Sequence, residues 1–209
     1  MKDRNDKEIS YEEVLDTRGL YCPEPLFEVR TFSEEIEPGK CFKIIADDPA
    51  AEEDLKRWAK RTDVELVEFY KDGDDLVFYF KKKSMRGAWN LEKKKILYVQ
   101  TTDIPERQYS PLVLAQTAKA MDIEATVYYL GIGLKILKPG VAENIKMGDF
   151  PSVKEMIDKT MLMGIEILVC EASKRMLGWE KVELIPGVKI VGAATLNDLV
   201  LESDGTMWF

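Results

Sequence analysis

Histidine is absent from this chain. That removes Ser-His-Asp and Cys-His catalysis, imidazole-ligated metal and histidine-based proton transfer together. Cysteine is scarce: Cys22, Cys41 and Cys170 are too few and too scattered for a disulfide framework, and no C-x-x-C pair offers a zinc site. Free thiols are expected, with no metal and no cofactor. Asn and Gln together number only seven beside abundant Lys and Glu, a balance that leans towards a thermophile. No apolar run approaches the roughly 18 residues of a membrane helix. The first eight residues are charged and lack the apolar core of a signal peptide, so a cytoplasmic protein is expected. What remains for chemistry is thiols, carboxylates and lysines.

A chain of 209 residues, 45% hydrophobic, suits two domains of about 100 residues, each able to bury its own core. Its charge of −8 is unevenly spread. Residues 1–80 hold 12 Lys/Arg against 22 Asp/Glu, while residues 81–95 hold 7 against 1. An acidic first half repels phosphate backbones and disfavours direct nucleic-acid binding. The basic strip interrupts the hydrophobic pattern, and like charges at both its ends resist compaction, so residues 82–95 are expected to be a linker between domains at 10–81 and 96–209. Trp89 and Leu91 are expected to tuck against one domain.

The fold class expected is α/β. The first half reads β-α-β-α-β-β, a two-layer sandwich. A short strand spans residues 13–17. A helix over 23–36 carries Leu26, Val29, Phe32 and Ile36 at helical spacing, and a buried strand covers 41–46. Asp48 and Pro49 predict the cap and first position of a second helix whose start is acidic and whose end is basic. Two β-rich runs, 64–70 and 76–80, flank Asp72-Gly73, a hairpin signal. The second half alternates apolar strands (96–100, 125–130, 165–170, 188–191) with helices (111–121, capped by Ser110, and 152–163, ended by Gly164). Strands such as Ile165-Glu166-Ile167-Leu168-Val169 are mostly apolar, as a sheet covered on both faces requires, which predicts a mostly parallel doubly wound sheet with its ligands at strand C-termini.

Cys22-Pro23-Glu24-Pro25 is the most informative tetrapeptide. The residue before a proline avoids helical geometry and proline suits the first helical turn, so Cys22 is expected to cap a helix. Unpaired N–H groups and the helix dipole there favour thiolate over thiol; the bland alternative is a helix-initiating turn in which cysteine happens to stand. Leu15-Asp16-Thr17-Arg18-Gly19-Leu20-Tyr21-Cys22-Pro23-Glu24-Pro25, with Pro38-Gly39 and Asp47-Asp48-Pro49, resembles the TusA/SirA family of sulfur carriers over residues 13–81. The resemblance implies a persulfide on Cys22, with Asp16, Gly19, Pro23, Glu24 and Pro25 as supporting positions. Where that family commonly has Gly-His before its third strand this chain has Thr62-Asp63, so no role of that histidine carries over.

Cys170 closes an apolar strand and precedes Glu171-Ala172-Ser173-Lys174-Arg175, the start of a helix, with Lys174 or Arg175 near enough to favour thiolate. On residues alone, a cysteine closing Ile-Leu-Val is more often a core residue than a reactive one. Residues 95–209 resemble the DsrE/DsrF family, whose cysteine follows a central strand in a Gly-x-x-x-x-x-Cys-x-x-Ser/Ala context, here Gly164 to Ser173. The resemblance implies a second sulfur-handling cysteine at Cys170 and a homo-oligomer formed through this half. Met207-Trp208-Phe209 suits either a subunit contact or packing on its own sheet. Cys41 reads as core. Gly131-Ile132-Gly133 lacks the third glycine of a dinucleotide loop. Asp103, at the end of the first strand of this half, either lines the site or caps its loop.

Three functions compete. In the first, Cys22 carries sulfane sulfur as a persulfide and exchanges it with Cys170 or with donor and acceptor proteins, a sulfurtransferase-like relay. In the second, the DsrE-like half is an oligomeric scaffold with no transfer at Cys170. In the third, a thiol peroxidase or redox sensor, the sequence offers no nearby resolving cysteine.

Overall fold

The computed structural model describes residues 9–20, 24–84 and 94–209. The chain divides into two compact units, residues 1–90 and 91–209. At the two ends of the expected 82–95 segment, Lys82 pairs in a strand and Lys95 opens the next. Its middle, with Trp89 and Leu91, lies outside the described residues.

In the first unit, strands β1 (Glu13–Asp16), β2 (Cys41–Ala46), β3 (Val64–Asp72) and β4 (Asp75–Lys82) form one sheet in the order β1-β2-β4-β3. β1 runs parallel to β2; β2 and β3 flank β4 antiparallel. Helix α1 (Glu24–Glu35) and helix α2 (Ala51–Arg61) complete the β-α-β-α-β-β order expected. The sequence dictates α2 clearly. Leu55, Trp58 and Ala59 bury its inner face, Glu52–Lys56 and Glu53–Arg57 pair at i,i+4 outside, and acids precede bases along its axis. It begins later than predicted: Asp48 is not the cap but accepts the Ala50 N–H at 2.9 Å, an Asx turn leading into the helix. Trp58, Phe42, Phe78 and Phe80 are fully buried, and the Trp58 ring meets Phe80 edge-on at 5.6 Å between centroids. The hairpin turns at Gly73, whose φ of +63° at the first loop position is the reason for glycine there. A bulge at Val67 shifts the β3–β4 register.

In the second unit, β5 (Lys95–Gln100), β6 (Glu124–Tyr129), β7 (Glu166–Cys170), β8 (Lys189–Val191) and β9 (Gly205–Trp208) pair parallel throughout, in the order β8-β7-β6-β5-β9. The helices are α3 (Tyr109–Ala120), α4 (Val153–Leu162), α5 (Glu171–Met176) and α6 (Ala193–Glu202). The expectation of a parallel sheet covered on both faces holds. α3 and α4 supply Leu112, Ala115, Val153 and Ile157 to a large core with Val127, Ile167 and Val169. Leu196 and Leu199 of α6 cover a smaller cluster on the other face.

Ser152 caps α4 through a reciprocal capping box with Glu155, and Gly164 follows the helix at φ +73°. Ser110 is no cap: α3 starts earlier, after a 3-10 turn at Pro105–Arg107, and holds Ser110 inside it. The sequence expectation omits α6 and β9. No residue of α6 is buried, so its apolar positions show no sharp inner stripe. β9 carries Met207 and Trp208 along β5, which places this stretch on its own sheet, although both side chains stay exposed. Among the described residues no helix is long and apolar enough to cross a membrane.

Candidate functional site

The first frame is built where β1 ends. Asp16 closes that strand, and its carboxylate takes the Arg18 guanidinium in a fork, Nε to Oδ1 at 2.9 Å and Nη2 to Oδ2 at 2.6 Å, as well as the Arg18 N–H at 3.1 Å. Arg18 also reaches Asp75 across the sheet at 3.2 Å. The side-chain bonds from Arg18, and then its backbone N–H, pull the Asp16 carboxyl down to about 2. Thr17 sends both its N–H and its hydroxyl to the Ile45 carbonyl. Gly19 turns the chain at φ +79° and gives its N–H to Asp47 Oδ1 at 2.9 Å. The segment Asp16–Leu20 is thus held by side chains of Asp16 and Asp47 and by the β2 backbone. On the other side of the cysteine, Glu24 opens α1 and Pro25 is buried in its first turn. Cys22 and Pro23 themselves lie outside the described residues.

The second frame is built where β7 ends. Cys170 is 4% exposed and serves as the N-cap of α5, its Sγ accepting the Ser173 N–H at 3.5 Å. Ser173 Oγ in turn accepts the Gly131 N–H at 2.8 Å, which leaves the hydroxyl proton to point at sulfur. Burial pushes the thiol up. Hydrogen bonds from the Ser173 hydroxyl and N–H, the approach of the Tyr128 hydroxyl and the Ala172 N–H outweigh it, and the thiol is held below its ordinary value. The expected cations contribute nothing: Lys174 reaches the Glu180 carbonyl and Arg175 pairs with Glu171. Gly131-Ile132-Gly133 is a 3-10 turn after β6, where a Cβ on Gly133 would stand 2.6 Å from the Gln100 carbonyl. Its glycines serve close packing and the Ser173 contact rather than a phosphate.

Asp103 does not join Cys170. It pairs with Lys135 at 2.7 Å and lines a cavity of about 360 Å³ with Pro105, Ile136 and Trp179; Cys170 is not in its wall. Cys41, free and half-buried, opens β2 as a structural residue. Among the described residues no cluster of acids and cysteines could hold a metal ion.

Two partners lie beyond the sequence reading. Asp75, which doubles the hold on Arg18, is 57 residues away in the chain. Tyr128 sits on β6 opposite Leu168, so it and Cys170 face the same side. The alternation of β6 and β7 carries that signal once the register is known.

A family model described as Sulfurtransferase TusA matches residues 13–82, and one described as DsrE/DsrF-like family matches residues 94–209. An uncharacterized protein of Methanocaldococcus jannaschii is 25% identical over 207 residues, 96% of this chain and 75% of that protein. A protein of Archaeoglobus fulgidus is 47% identical over 68 residues, 32% of this chain and 88% of that protein. The Sulfur carrier protein TusA of Pseudomonas aeruginosa is 31% identical over 75 residues, 36% of this chain and 95% of its own. Among solved structures, the ychN protein from E. coli aligns over 56% of this chain and 99% of its own with 14% identity and a TM-score of 0.45.

Proposed function

From the premise that this chain belongs to the DsrE/DsrF-like family through residues 94–209, with a TusA domain at residues 13–82 ahead of it, we propose that it traffics sulfane sulfur as a persulfide on Cys22 and passes it to or from Cys170 or a partner protein. The observation that carries this reading is the Cys22-Pro23-Glu24-Pro25 segment inside the TusA-matched residues. The frame on either side of it supports the reading, because Asp16, Gly19 and Pro25 are each held by backbone or packing contacts. In the loading step the Cys22 thiolate attacks the outer sulfur of a donor persulfide or polysulfide. A new S–S bond forms, the old one breaks, and the donor sulfur leaves with the electron pair as a thiolate. No net oxidation occurs, and neither metal nor nucleotide takes part.

The protein acts in the cytoplasm with sulfur-donor and sulfur-acceptor proteins, and it assembles as a homo-oligomer through its second half.

A second reading rests on the 4% exposure of Cys170. A sulfur so covered suits a scaffold that presents the carrier domain to a larger enzyme without transfer at Cys170. Incubation with an inorganic polysulfide followed by intact-mass measurement separates the readings. The carrier role requires a reductant-labile gain of one sulfur that peptide mapping places on Cys22 and that Cys22→Ser removes from that peptide, and an unchanged mass in the parent protein rejects it. If Cys170→Ala leaves delivery to an acceptor thiol intact, the scaffold reading stands.

A further inference from the structure

The parallel register sets Tyr128 beside Leu168, and Cys170, two residues further along β7, falls on the same face. The face also carries Leu97, Val99 and Leu168, all buried, under Leu196 and Leu199 of α6. Into this aliphatic patch Tyr128 brings a fully buried hydroxyl that has no hydrogen-bond partner of regular geometry in the protein. The titratable group that acts on it is the sulfur of Cys170. A phenylalanine would fill the same space without leaving a buried hydroxyl unsatisfied.

We propose that the Tyr128 hydroxyl is the donor for the outer sulfur of a persulfide on Cys170. The inference rests on the function proposed above and deepens it. When the Cys170 thiolate attacks the outer sulfur of an incoming persulfide or polysulfide, one S–S bond forms and one breaks. The leaving sulfur departs as a thiolate, and the negative charge on the product moves from Sγ to the atom beyond it. The Ser173 and Ala172 donors follow Cys170 in the chain and point at Sγ. Tyr128 approaches from the neighbouring strand, and its O–H, which already acts on Sγ from that side, is placed to follow the displaced charge outward. Burial and the neighbouring sulfur both raise its phenol above the ordinary range, so the proton stays available at neutral pH. Because no residue of α6 is buried, the cover over this patch can yield to one more atom.

The test uses the full chain with Cys22→Ser and Cys41→Ser, with and without Tyr128→Phe. After exposure to inorganic polysulfide, the sulfur on Cys170 is followed by intact mass, and the pH dependence of its alkylation by iodoacetamide is measured before loading. The expected result is a Cys170 persulfide in the parent. With Tyr128→Phe its loaded fraction or lifetime falls about tenfold, the worth of one charge-assisted hydrogen bond. The alkylation profile moves to higher pH, and the Tm is unchanged or higher. Equal loading and lifetime in both proteins overturns the role of Tyr128 and leaves Cys170 a carrier. A lower Tm with Tyr128→Phe makes the hydroxyl structural and overturns it as well. No sulfur on Cys170 in the parent overturns the persulfide at this position, and this inference with it, while the Cys22 reading stands.

Discussion

In residues 9–84 the side-chain ion pairs beside the cysteine segment face solvent, Arg18 lying between Asp16 and Asp75. In residues 94–209 the framed sulfur is buried, its donors are uncharged and its surroundings are aliphatic. The two arrangements respond to different levers. Exposed ion pairs are screened by salt and contribute modestly, whereas N–H and O–H groups around a buried sulfur act at short range in a low dielectric. The comparison also runs through the cores, one dominated by stacked aromatic rings in a mixed sheet, the other by aliphatic side chains on both faces of a parallel one.

The largest effect expected is on loading. Cys22→Ser abolishes the polysulfide-dependent mass gain of the first unit, while Cys170→Ala leaves that gain in place; peptide mapping by mass spectrometry checks both. Next, Trp58→Ala opens a cavity among Phe42, Phe80 and α2 and destabilises the first unit by about 3–5 kcal/mol. Two calorimetric transitions of which only one moves would sharpen the comparison, and a joint shift would break it. Gly133→Ala forces a Cβ against the Gln100 carbonyl and costs the second unit about 1–3 kcal/mol, read from the other transition.

Smaller is the effect of Ser173→Ala. It removes a donor to sulfur and the acceptor of Gly131, so the Cys170 thiol rises and alkylation near neutral pH slows, measurable as a pH–rate profile. The smallest concerns Asp16. Its folded value, about 2 against an ordinary 3.8, is depressed, so its contribution is complete above pH ~4 and is lost as pH falls through about 2. Arg18→Ala removes that acid dependence. Urea unfolding at a series of pH values checks it, and a matching change in Cys170 alkylation would break the separation between the frames.

Much of this was legible in the residues themselves, for reasons that differ by element. Asp72-Gly73, Ser152 with Glu155, and the apolar run of β7 declare a turn, a cap and a buried strand because their signals are local. The starts of α2 and α3 were misplaced because Asp48 and Ser110 have side chains that cap equally well on paper, and only backbone geometry selects among neighbouring candidates. α6 escaped because a helix with no buried residue carries no sharp periodic stripe, and β9 because Met207-Trp208 is exposed on a parallel strand. The segment around Cys22 was identifiable by resemblance. Tyr128 was not, since a parallel register between strands some 40 residues apart has no local mark.

The pairing of β9 with β5 fixes an order of events. Lys95 and Asp204 are bonded across a separation of 109 residues, so this seam has a high contact order and pays its loop-closure entropy late. During synthesis, at roughly 5–20 residues per second, β5 waits on the order of 5–20 s for its outer neighbour, showing an unpaired edge meanwhile. The four described strands of the first unit are all made by Lys82, so their sheet can form on the ribosome while the second sheet is still open at the seam.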